Sequence, residues 1–88
     1  MNERIFFTIK DDIGVGIISF WKEDESIRLS YGIQNSSECF SKKMIVICEM
    51  CKEIINQYEN ERIWRILKQK MPKKLTSSEF VDYLICRL

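Results

Sequence analysis

Apolar and polar side chains alternate from Arg4 to Lys10, with Ile5, Phe7 and Ile9 on one side and Phe6, Thr8 and Lys10 on the other. That period of two is the mark of a strand. Asp11-Asp12 breaks the pattern as a turn. Gly14–Trp21, rich in branched and aromatic residues, predicts a second strand in which Gly14 and Gly16 signal a bulge or a close backbone approach. After a polar turn over Glu23–Ser26, Ile27, Leu29, Tyr31 and Ile33 alternate with Arg28, Ser30 and Gly32 as a third strand. Connections this short join antiparallel neighbours, so the first third of the chain predicts a meander.

The period then changes. From Asn35 to Tyr58, Phe40, Met44, Ile47, Cys48, Cys51, Ile54, Ile55 and Tyr58 recur every three or four residues, which draws one apolar stripe along a helix. Asn35 with Glu38 reads as a capping box at its start, with Ser36 or Ser37 as the other candidate caps. The polar run Glu59–Arg62 interrupts the stripe. Ile63, Trp64, Ile66, Leu67 and Met71 predict a second helix, stopped by Pro72. Thr76-Ser-Ser-Glu79 is another capping box, and Phe80, Val81, Leu84, Ile85 and Leu88 carry a third helical stripe. The expected fold class is α+β, a single domain over residues 1–88. A three-stranded antiparallel meander packs on a central helix and two C-terminal helices follow, in the order β-β-β-α-α-α.

Eighty-eight residues suffice for one modest core and not for two. A net charge of +1 sets up no general field for nucleic acid or an anionic membrane. No apolar run approaches the roughly 20 residues of a membrane span. The start, Met1–Phe7, lacks the pattern of a secretion signal, and together these features predict a cytoplasmic location.

Histidine is absent, which removes the commonest general base and zinc ligand. Asp11-Asp12 and Glu23–Glu25 read as solvated turn charges. Cys48-Glu-Met-Cys51 is a C-x-x-C pair, but it falls mid-helix rather than at a helix start, where amides would activate a thiol. Cys39 lies about 13 Å along the helix from Cys48, too far to share a metal. The four cysteines, at 39, 48, 51 and 86, are therefore expected to be reduced, mostly buried packing residues. No catalytic residue, metal or cofactor is expected, and the chain reads as a non-enzyme.

Lys42 and Lys43 open the central helix, where a phosphate contact is favoured. Ser41-Lys-Lys-Met-Ile-Val-Ile-Cys48 is similar to the lysine-bearing helix start of double-stranded-RNA-binding domains, which also follows a three-stranded meander. A second resemblance covers residues 29–44. There Tyr31-Gly-Ile-Gln-Asn-Ser-Ser-Glu-Cys-Phe-Ser-Lys-Lys43 resembles small phage- and plasmid-encoded proteins in which a strand leads through a polar turn into a Phe-Ser-Lys-Lys helix start. That likeness implies a mobile-element protein, such as an inhibitor of a host defence system of the anti-CRISPR kind.

The first functional expectation is thus a protein-binding domain whose partner is a host defence nuclease, a similar protein, or a second copy in a homodimer. Its surface is expected to centre on Phe6, Phe20 and Trp64. Phe6, Ile18 and Phe20 are assigned to the sheet face opposite Ile5, Phe7 and Ile9. The alternative is a nucleic-acid-binding accessory domain using Lys42, Lys43, Arg62, Arg65, Lys68, Lys73 and Lys74.

Overall fold

In the computed structural model, residues 3–88 are described; Met1 and Asn2, part of the start read above as leader-free, lie outside them. Strands β1 (Arg4–Asp11), β2 (Gly14–Glu23) and β3 (Ser26–Ser36) form the antiparallel meander. The two-residue turn Asp12–Ile13 pairs Asp11 with Gly14, which sets Phe7 opposite Ile18 and Ile5 opposite Phe20. The second turn, Asp24–Glu25, has positive φ at both residues (53° and 66°), the backbone that best matches the twist of a tight hairpin.

Helix α1 (Glu38–Gln57) follows directly, because β3 runs on to Ser36 and leaves Ser37 as the cap. The Ser37 hydroxyl accepts from the Phe40 amide at 3.2 Å, and the Ser37 amide donates to the Ile13 carbonyl. Asn35, the first candidate cap, is a strand residue paired with Val15. Helix α2 (Asn60–Arg65) continues into a π-helical turn, Ile66–Lys70, that ends before Pro72. The capping box at Thr76 opens α3 (Ser77–Arg87), with both of its hydrogen bonds formed.

The fold is α+β, as expected, with one strand more than the meander. Lys74–Leu75 forms a short β4 that pairs parallel with Thr8 and Ile9 of β1, giving a four-stranded mixed sheet in the order β3-β2-β1-β4. The Thr8 amide donates to the Lys73 carbonyl at 2.8 Å, so the chain returning from the helices is fastened to the free side of β1.

All three helices pack on one face. Their contribution is Phe40, Met44, Ile47, Cys48, Cys51 and Ile54 from α1, Ile63, Ile66 and Leu67 from the middle segment, and Phe80 and Leu84 from α3. The sheet contributes Ile5, Phe7, Ile9, Ile18, Phe20 and Ile27. The Phe7 ring meets Phe20 and Phe80 edge-on, at centroid distances of 5.9 and 5.3 Å. Gly14 and Gly16 let α1 come close. A Cβ on Gly14 would stand 2.4 Å from the Phe40 ring, and one on Gly16 would stand 2.9 Å from the Met44 methyl. The register also slips between Val15 and Gly16, so the close approach and the bulge occur together.

Candidate functional site: the open face of the sheet

The side chains that point away from the helices are fixed by the same register. Arg4, Trp21 and Arg28 form one row across the three long strands, Phe6, Ser19 and Ser30 the next, and Thr8, Ile17 and Gly32 a third. Lys74 extends the third row beyond Thr8, and Lys10 stands beside Val15. No element among the described residues covers this face. Phe6 of β1 is 55% exposed on it, an unusual position for a large aromatic unless something lies on it.

The floor around Phe6 is low. Ser19 and Ser30 share a 3.1 Å hydrogen bond, and Gly32 has no side chain. The Arg4 guanidinium sits over the Trp21 ring, 4.0 Å from its centroid, and reaches the Ser19 hydroxyl at 3.4 Å. The Trp21 indole N–H donates to Glu23 at 3.3 Å. The long strands and β4 thus place four cations on this face, Arg4, Lys10, Arg28 and Lys74, against one carboxylate, Glu23. The local charge is far more positive than the whole-chain +1 suggests.

Of the expected partner residues, only Phe6 lies here. Ile18 and Phe20 belong to the opposite face with Ile5, Phe7 and Ile9, and Phe20 is 1% exposed; it is core, and its assignment to a partner surface is corrected. The apolar run of β2 has neighbouring pairs, Ile17-Ile18 and Phe20-Trp21, that alternation alone cannot sort into faces. Trp64 is half-buried on the helical side, packed against the core with the Lys22 ammonium 5.3 Å above its ring.

The expected basic set is dispersed. Lys42 pairs with Glu38 at 3.5 Å, and Lys43 approaches Asp11 at 3.8 Å. Arg62 lies over Tyr58, Arg65 is exposed on α2, and Lys68 pairs with Glu3. Lys73 is structural: its ammonium donates to the Leu67 carbonyl at 3.0 Å and sits 4.9 Å from the Phe7 ring centroid, where burial lowers its pKa. Lys74 alone joins the open face. Arg4, Trp21 and Arg28, which sequence reasoning passed over, were signalled by the two tight turns, because those turns fix which residues share a row.

Two other clusters bear on chemistry. The Asp11 carboxylate accepts from the Ser77 amide at 2.8 Å and from its hydroxyl at 2.5 Å. Burial works to raise the Asp11 pKa, but these bonds and Lys43 outweigh it and hold the carboxyl below its usual value. A carboxylate so stabilised is a poor base for the Ser77 hydroxyl, and its evident role is to fasten the α3 N-terminus to the end of β1. Cys48 and Cys51 are buried in the core, and burial pushes their thiols up to about 11 and about 12, away from the reactive thiolate. Cys39 and Cys86 are exposed, against the expectation that the cysteines are mostly buried. Among the described residues no three potential ligands gather as a metal site, and no helix is long and apolar enough to cross a membrane.

These features define a class, a small α+β domain with one sheet face packed and the other open, basic and aromatic. Compared with protein-family models, with curated proteins and with solved structures, the chain finds no match.

Proposed function

We propose that this chain is a non-enzymatic binding domain that takes single-stranded nucleic acid across the open face of its sheet. The observation that carries the reading is Phe6, an exposed ring beside Ser19 and Ser30 on a face that also holds Arg4, Lys10, Arg28 and Lys74. A base stacks on such a ring whatever its identity, and cations beside it meet the phosphates. The Arg4 guanidinium, 4.0 Å from the Trp21 ring centroid, adds a cation beside a second aromatic ring. A protein partner, the first expectation from sequence, would also value Phe6. The excess of cations and the low floor favour a flat, anionic strand instead. Duplex binding through Lys42 and Lys43 is less supported, because each already has a carboxylate partner.

Fluorescence anisotropy with labelled single-stranded DNA and RNA tests the reading. Four phosphate contacts predict that log K falls with log salt at a slope of about −3. Arg28→Glu and Lys10→Glu should each flatten that slope by roughly one. Absence of binding to either strand at low salt would remove the proposal.

A further inference from the structure

The geometry points to a second interaction surface, the free edge of β3 with the adjoining flank of α1, and to a second copy of this chain as its occupant. Strand β3 is an edge strand of eleven residues, so one side of its backbone has no partner in the sheet. Arg28 is its one charged residue, and its outer half carries no lysine or proline of the kind that blunts an edge. Tyr31 and Ile33 are 42% and 37% exposed on the helical side of this edge, beside Ile45 of α1 at 48%.

Strand and helix share one centre of symmetry. A two-fold axis through Gly32 pairs β3 with its copy antiparallel and sets Tyr31 of each chain opposite Ile33 of the other. The extra residue Gln34, where the register slips, ends the paired stretch, so the helices must supply the rest of the contact. Met44 lies against Gly16, which pairs with Ile33. Gly32 is one strand residue further on, about two helix residues by the rise of each element, so the same axis crosses α1 at Ile45–Val46.

About that point the charges nearest the centre are complementary on the outer stripe of α1. Glu38, Lys42, Glu49 and Lys52, all exposed, alternate in sign along it. Reversal about Ile45–Val46 brings Lys42 of each chain to Glu49 of the other, a pair of opposite charge, and carries Glu38 out to Glu53 at the ends of the contact. Helix α1 packs over both β2 and β3. An axis above that strand pair places α1 and its copy about 10 Å apart, an ordinary helix-packing distance. The dimer is isologous and closed, which uses the exposed edge without opening a path to fibres. It also joins the two open faces into one eight-stranded surface.

Sedimentation equilibrium of the full chain, without nucleic acid, tests this independently of the proposed function. The expected result is a two-chain mass for the wild type and a one-chain mass for Ile45→Lys, which sets like charges across the axis, with unchanged circular dichroism. Lys42→Glu and Glu49→Lys should each weaken association about tenfold, and the double variant should restore it, since the swap recreates opposite charges across the axis. A one-chain wild type, or a folded double variant that fails to recover, overturns the inference; recovery in the double variant supports it even if Ile45→Lys does not fold.

Discussion

Phe6 and Phe7 are consecutive residues of β1, and they show how differently the two faces of the sheet are used. Phe7 is fully buried on the helical side, with the Phe20 and Phe80 rings edge-on to it. Phe6 points the other way and remains more than half exposed. The helical side holds the apolar area that stabilises the fold. The open side holds cations, small hydroxyls and an unburied ring, a composition that adds little to stability. The difference teaches that an exposed large aromatic is informative when its neighbour in sequence already satisfies the core.

The comparison can be broken at several points. Phe7→Ala should have the largest effect, a loss of about 3–5 kcal/mol in urea unfolding from a total on the order of 4–13 kcal/mol. A smaller loss would mean that the helical side is not the main source of stability.

Glycine substitutions sharpen the contrast. Gly14→Ala forces a methyl into the Phe40 ring and should cost about 1–3 kcal/mol. Gly32→Ala places its methyl on the open face, where nothing lies within 4 Å, and should change stability by less than about 0.5 kcal/mol. Equal costs at the two positions would contradict the assignment of the faces.

Asp11 links the sheet to α3, and its lowered folded pKa gives the sign of a pH effect. Its contribution is fully present above the unfolded carboxyl value of about 3.9 and is lost as pH falls through the folded value. Asp11→Asn should therefore cost about 1–2 kcal/mol at neutral pH and show a weaker decline on acidification than the wild type. Parallel acid-unfolding curves for the two chains would show that Asp11 does not fasten α3.

Much of this architecture was legible in the sequence. Ile5, Phe7 and Ile9 alternate cleanly, the α1 stripe from Phe40 to Ile54 is buried as its spacing predicts, and Thr76 with Glu79 marks the start of α3. Strand β4 was not legible, because two residues, Lys74 and Leu75, carry no period; their pairing arises only when the returning chain meets β1. The cap of α1 moved from Asn35 to Ser37 because β3 gains ladder bonds by running on to Ser36. The candidate site was half legible. Phe6 followed from alternation, but Phe20 was placed on the wrong face because β2 is apolar on both sides. Counting back from Asp12–Ile13 as a two-residue turn sets Phe20 opposite Ile5, and counting on through Asp24–Glu25 brings Trp21 and Arg28 into the row of Arg4.

The central claim is that one face folds the chain and the other binds. Phe6→Ala tests it most directly, with urea unfolding and single-strand binding measured on the same preparation. Stability should stay within about 0.5 kcal/mol of the wild type while binding weakens by about 1–3 kcal/mol, the worth of one stacked base. Unchanged binding, or a variant that unfolds as Phe7→Ala does, would contradict the account.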